Sequence, residues 1–169
     1  GTGSGAVALA IKHACRRAVV HAVDASHAAL DVARRNAMAL HIDVSFHHGD
    51  WWDGGWQSRL PAPPCMVVSN PPYIAEGDAH LVALAHEPQS ALVAGPDGLS
   101  DIQTIVRGAA THLPPGAWLL LEHGNTQGPA VRALLAERQW VGVQTMNDLA
   151  AQPRCSGGKV PPYAGQTAP

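Results

Sequence analysis

Residues 1–24 read GTGSGAVALAIKHACRRAVVHAVD, and this stretch decides the fold. Glycines alternate in Gly1-Thr2-Gly3-Ser4-Gly5, an Ala-rich segment follows, and a short apolar run ends at Asp24. Glycine-rich loops of this kind normally follow a buried parallel strand, because the strand aims the loop at its ligand. Residues 6–17 place Val7, Leu9, Ala10 and Ala14 where a helix can turn them toward a sheet, and 18–23 read as a buried strand. No strand and no initiator Met stand before Gly1, so the expectation is a chain cut at the strand–loop junction.

Working outward, the same alternation continues. Ser26 is a candidate N-cap for a helix running to about Leu40, and 42–48 read as a strand that stops at Gly49-Asp50. Residues 54–64 read as a loop, and 65–69 as a five-residue apolar strand stopped by Asn70-Pro71-Pro72-Tyr73. Residues 74–98 are irregular. A helix over 101–112, a turn at Pro114-Pro115-Gly116, a strand over 117–122, a helix over 126–138 and a strand over 140–145 complete the pattern. Strands alternating with helices predict an α/β fold, doubly wound, with a mostly parallel sheet and helices on both faces. The pattern fails after Asn147. Residues 1–147 are therefore expected to form the folded domain, and 148–169, rich in Pro and Gly, a loose tail.

Composition narrows the classes. Of 169 residues, 46% are hydrophobic and 14% charged, too apolar for a disordered chain. The net charge of −2 offers no basic face, which argues against nucleic acid as a partner. No apolar run approaches the roughly eighteen residues of a membrane helix, and no leader pattern is visible. Cys15, Cys65 and Cys155 are an odd count without CxxC spacing, which argues against a disulfide framework or zinc ribbon and suits a reducing cytoplasm. The ten histidines, His47-His48 among them, show no convincing metal-ligand spacing, so no metal is expected.

The candidate site residues fall at the carboxyl ends of strands, where open α/β sheets bind ligands. Gly1 to Gly5 let backbone N–H groups approach a ligand, and the helix behind them favours a carboxylate or phosphate. Asp24, about twenty residues further on, is placed to accept the hydroxyls of a ribose, and no Arg follows for a 2′-phosphate. Asp50 with Trp51-Trp52 offers a carboxylate and an indole for an adenine, or simply two aromatic residues packing a loop. In Asn70-Pro71-Pro72-Tyr73 the prolines lack N–H groups, so an Asn side-chain carbonyl and a backbone carbonyl are left to accept both hydrogens of a planar –NH₂. Tyr73 offers a stacking face. Glu122-His123-Gly124 either lines the pocket or ends the sheet.

Taken in this order, Gly1 to Gly5, Asp24, Gly49-Asp50-Trp51 and Asn70-Pro71-Pro72-Tyr73 resemble the class I S-adenosylmethionine-dependent methyltransferases, which are Rossmann-like. With Glu87-Pro88, Ala91-Leu92 and Leu119-Leu120-Leu121-Glu122-His123-Gly124 added, residues 1–147 are similar to the peptide chain release factor N5-glutamine methyltransferases. The resemblance implies S-adenosylmethionine as cofactor, with Gly1, Thr2, Gly3, Ser4 and Gly5 at its methionine portion and Asp24 at its ribose. It implies Asp50 and Trp51 at the adenine, with Asn70 shared between cofactor and substrate. Asn70, Pro71, Pro72 and Tyr73 would hold the substrate glutamine, and Asn70, Pro71 and Tyr73 would carry the catalysis. The partner implied is a class 1 release factor, methylated in its Gly-Gly-Gln loop by a cytoplasmic, monomeric enzyme. The family's N-terminal helical domain and first strand have no counterpart in this chain, and residues 151–169 do not match the family's last strand.

Three other readings stay open on the sequence. An amino-methyltransferase acting on adenine or cytosine of DNA or RNA shares the –NH₂ target but needs a basic track. A dinucleotide-binding oxidoreductase shares the glycine loop. A fragment that only binds cofactor is the third.

Overall fold

The computed structural model of the protein describes residues 1–162. The chain forms two units, Gly1–Ala62 and a second that begins at Pro63, each with its own sheet.

The first unit opens with the glycine loop and α1 (Ala6–Ala14). The helix stops three residues short of the expected end because Lys12 folds past it, its Nζ donating to the carbonyls of Arg16 and Ala18 at 3.0 and 2.6 Å. Next come β1 (His21–Asp24), α2 (His27–Leu40) and β2 (Ser45–His48). Ser26 caps α2 as predicted: its Oγ accepts the N–H of Ala29 at 3.2 Å. The helix ends at His41 in the left-handed region, φ 54°. β1 and β2 pair in parallel, Asp24 opposite His48, with the α2 crossover that parallel pairing requires. Leu9, Ala22, Leu30, Ala33 and Ala37 are buried and make the unit's core.

The second unit carries β3 (Met66–Ser69), α3 (Ser100–His112), β4 (Trp118–Glu122), α4 (Gly128–Ala136), β5 (Val141–Asn147) and β6 (Pro153–Lys159). The strand order is β3-β4-β6-β5. β3 and β4 are parallel, with Ser69 opposite Leu121, while β6 runs antiparallel to both β4 and β5. Ile102, Ile105 and Val106 of α3, Leu119 and Leu121 of β4 and Val131 and Leu135 of α4 are almost wholly buried. The 74–98 segment holds two 3-10 turns and a parallel bridge between Ile74 and Val93.

The expected loose tail is corrected over 153–159, which form an inner strand. A Cβ on Gly157 would stand 2.2 Å from the Leu119 carbonyl oxygen, and one on Gly158 would stand 3.1 Å from a Val143 methyl. β6 threads between two strands so closely that side chains are excluded there, and Pro153 sits at the strand's first residue, where a missing N–H is tolerated. Glycines and a proline are thus what the strand needs. The end of the predicted tail, 163–169, lies outside the described residues.

Candidate active site

In the first unit the glycine loop is tied to β1 through the backbone. Thr2 donates its N–H to the Val23 carbonyl at 2.8 Å, and Gly5 donates to Thr2 at 2.9 Å. Gly5 adopts φ 84°, and a Cβ there would press on the Ala33 methyl at 3.1 Å, so only glycine lets the loop turn so close against α2. Asp24 is buried and fixed at both oxygens: Oδ2 accepts the N–H of Gly3 and Oδ1 that of Ser26, each at 2.8 Å. Two carboxylate oxygens offer about four lone-pair sites, so Asp24 keeps acceptor capacity for hydroxyl donors beyond these two bonds.

Gly1 stands between Asp24 and Trp51; a Cβ on it would lie 3.7 Å from Asp24 Oδ2 and 4.0 Å from the indole. Around Gly3, φ 56°, a Cβ would meet nothing within 4 Å. Gly1 thus brings Asp24 and Trp51 together, an acceptor-only carboxylate beside an aromatic ring, and the loop leaves room at Gly3. This donor set fits a nucleoside, and through it the S-adenosylmethionine that the sequence suggests. Asp50 is exposed, and its carbonyl accepts the Asp53 N–H at 2.7 Å.

Trp56 is the residue that sequence reasoning missed in this unit. The 54–64 stretch read as loop, yet Trp56–Arg59 form a 3-10 turn that buries the indole, whose N–H donates to the Trp51 carbonyl at 2.8 Å. Trp52 packs on the same ring, centroids 5.9 Å apart. Gly49 has to be glycine beneath it, because a Cβ would approach the Trp56 ring to 2.5 Å. The histidines of β1 and β2 are structural partners. His21 Nδ1 and His47 Nε2 lie 2.9 Å apart, and His48 stacks on His27 at 4.0 Å. Burial, then His21 and Arg59, hold the His47 imidazole below its ordinary range. Among the described residues no three His, Cys, Asp or Glu gather in a metal-holding group.

In the second unit, Asn70 is exposed at the end of β3, Pro71 is buried, and Pro72 and Tyr73 are half-buried. The Tyr73 hydroxyl donates to Glu122 Oε1 at 3.4 Å. Burial, and then the Glu122 carboxylate, push the phenol above its ordinary range, against the opposing pull of Arg154. Burial and Glu122 likewise raise the Cys155 thiol. Arg154 reaches the His123 carbonyl at 3.4 Å and Asp148 at 3.5 Å. The three residues of Glu122-His123-Gly124 thus divide their work. Glu122 faces Tyr73, Gly124 donates its N–H to Gln127 Oε1 at 2.8 Å, and His123 is wholly buried.

His123 ends a one-way hydrogen-bond chain. Its Nδ1 faces the Gly124 carbonyl at 2.8 Å, and a carbonyl only accepts, so Nδ1 carries the hydrogen. Nε2 then accepts from Ser156 at 2.7 Å, Ser156 accepts from Thr145 at 2.7 Å, and Thr145 accepts from Arg132. Each member of this relay from Arg132 to His123 has a partner, which ties the end of β4 to β5 and β6. Ser156 and His123 have no exposed surface, so the pair is a strut and no nucleophile.

The architecture is that of the class I methyltransferase fold. A methyltransferase from Pyrococcus furiosus superposes with a TM-score of 0.67 at 16% identity, covering 95% of this chain and 72% of that one. Residues 1–95, more than half of the chain, match the family described as methyltransferase small domain, and the chain belongs to that family. A release factor glutamine methyltransferase of Xylella fastidiosa (strain Temecula1) is 49% identical over 96% of this chain and 59% of its own length. One of Neisseria gonorrhoeae is 47% identical over 94% of this chain and 58% of its own length. The chain thus spans somewhat more than half of the curated relatives it matches.

Proposed function

We propose that the protein transfers a methyl group from S-adenosylmethionine to the side-chain amide nitrogen of a glutamine, in the Gly-Gly-Gln loop of a class 1 peptide chain release factor. The observation that carries this reading is Asn70, exposed at the end of β3 and followed by two prolines, in a chain so similar to relatives named release factor glutamine methyltransferase. S-adenosylmethionine supplies an electrophilic sulfonium methyl. Gly1 to Gly5 and Asp24 hold the cofactor, Asp24 as acceptor for its ribose hydroxyls, with Trp51 and Asp50 at the adenine. An amide nitrogen is a weak nucleophile because its lone pair is delocalised into the carbonyl. Asn70 Oδ1 and the Pro71 carbonyl accept its two N–H groups, orient the nitrogen and favour positive charge building on it. Tyr73 covers the flat amide group. Alignment and electrostatics are then what the chain contributes, and it needs no strong base before attack.

The enzyme works as a monomer in the cytoplasm, and no helix among the described residues is long and apolar enough to cross a membrane. The net charge of −2 does not favour a nucleic-acid substrate. The test is calorimetric titration with S-adenosylhomocysteine and with NAD, followed by methyl transfer to a release factor and to duplex DNA. Binding of the first ligand alone, with label on the release factor alone, is the expected result. Selective binding of NAD, or label on DNA alone, would contradict it.

A further inference from the structure

The Asn70-Pro71-Pro72-Tyr73 turn is anchored at both ends to the same strand. At its start, Ser69 is paired with Leu121 of β4. At its finish, Tyr73 is held twice by residues at and beyond the end of β4. Its hydroxyl donates to Glu122, and its carbonyl accepts the Gln127 Nε2 at 3.0 Å. Three residues, Asn70, Pro71 and Pro72, span the two anchors.

Gln127 is the unusual member. It sits at the start of α4, and its amide joins three segments of chain. Oε1 accepts the Gly124 N–H at 2.8 Å, while Nε2 points at the carbonyls of Tyr73, Asp97 and Gly98, at 3.0, 3.2 and 3.4 Å. The amide orientation is fixed by its partners, since Gly124 N–H needs an oxygen and three carbonyls need a donor. The crossing leaves no spare room. A Cβ on Gly98 would stand 2.3 Å from the Tyr73 carbonyl oxygen and 2.8 Å from Gln127 Nε2.

We infer that Gln127 is a positioning residue for methyl transfer: by gripping the Tyr73 carbonyl it sets where the Asn70 and Pro71 acceptors hold the substrate amide. The inference rests on the amide-binding role proposed above for that turn. Both ends of the Gln127 amide are taken up by the backbone of Gly124, Tyr73, Asp97 and Gly98, so it acts through Tyr73. Two carbonyl acceptors can align a nitrogen only if the turn carrying them is rigid, and misplacement by about 1 Å can cost about 100-fold in rate.

Gln127→Ala removes both halves of the grip. Gln127→Glu keeps the size and the acceptor for Gly124 but turns an oxygen toward three carbonyls. Both variants should remain folded by circular dichroism and bind S-adenosylhomocysteine within about twofold of the unsubstituted protein, while kcat for release-factor methylation falls about 10- to 100-fold. Relative to the unsubstituted protein at each pH, Gln127→Glu should recover as the pH falls and its carboxyl gains a hydrogen to donate; Gln127→Ala should not. A measurement independent of turnover is the spectroscopic titration of the Tyr73 phenol. Once the carbonyl is released the ring should leave Glu122, and the phenol should ionise closer to its ordinary range. Turnover of both variants within about twofold of the unsubstituted protein, or a Tyr73 titration that does not move, would overturn the inference. If the unsubstituted protein itself fails to methylate a release factor, the proposed function falls and the catalytic half of the inference with it, while the Tyr73 titration still decides whether Gln127 holds the turn.

Discussion

The two units hold their candidate site residues by different means. In the first, Asp24 is fixed by the backbone N–H groups of Gly3 and Ser26, and the glycine loop is fastened by backbone bonds to Val23 and within itself. In the second, the turn after β3 lies between backbone pairings of Ser69 with Leu121 and of Ile74 with Val93, and Tyr73 within it is held by side chains from well separated positions, Glu122 and Gln127. A backbone-built site tolerates changes of side chain but not an added Cβ at its glycines or loss of its one acceptor. A site built from side chains can be loosened by one truncation while the fold survives. The difference suits the proposed chemistry, in which the first unit grips a cofactor and the second aligns a weak nucleophile.

The largest expected effect comes from a position where the second unit is itself backbone-limited. Gly157→Ala puts a methyl against the Leu119 carbonyl and the Leu120 side chain, and β6 has to move away from β4. Urea unfolding should report a loss of about 2–4 kcal/mol. A loss below that of an ordinary surface substitution would mean that β6 is not wedged between its neighbours. Next is Asp24→Asn, which swaps an acceptor oxygen for an amide donor facing a backbone N–H of Gly3 or Ser26. It should cost about 1–3 kcal/mol and weaken S-adenosylhomocysteine about tenfold or more. Unchanged stability would show that the loop is held without Asp24.

The smallest effect is on titration alone. Glu122→Gln removes a negative charge from beside the Tyr73 hydroxyl, so the phenol should ionise at lower pH, though still above its ordinary value because burial remains the larger cause. The sign for stability follows. A tyrosine whose folded value is raised contributes stability that is present below its unfolded value and is lost as pH rises through the folded one. The alkaline limb of the pH–stability curve should therefore lose part of this contribution in Glu122→Gln. An unmoved phenol would show that Glu122 does not act on Tyr73.

The same contrast explains what could be read in the sequence. The glycine loop, Asp24, the Ser26 cap and the turn after β3 were legible because each is a local pattern: alternating glycines, a carboxylate at a strand end, a hydroxyl before a helix, prolines after an apolar run. The alternation of strands and helices likewise pointed to a doubly wound α/β fold, and the class I methyltransferase reading came from the resemblance of the motifs. What was not legible depends on distant partners. Gln127 lay in an expected helix, and only the Gly124-x-x-Gln127 spacing hinted at its contact with Gly124. Trp56 was hidden in a stretch of Gly, Pro and polar residues, although a large aromatic there needs somewhere to pack. β6 was misread because Gly157 and Gly158 look like a breaker until the strands on either side are known. The place of Arg154 beside the His123 carbonyl was hidden with it.

The central claim is that binding the cofactor and aligning the amide are separate tasks, the second depending on Asn70. The most direct measurement pairs S-adenosylhomocysteine affinity with release-factor methylation in Asn70→Ala. Affinity is expected within about twofold of the unsubstituted protein, with turnover down about 100-fold or more. Turnover that survives the substitution would remove Asn70 from the chemistry. Loss of affinity in step with turnover would make Asn70 part of the cofactor site alone, and the division of labour would be wrong.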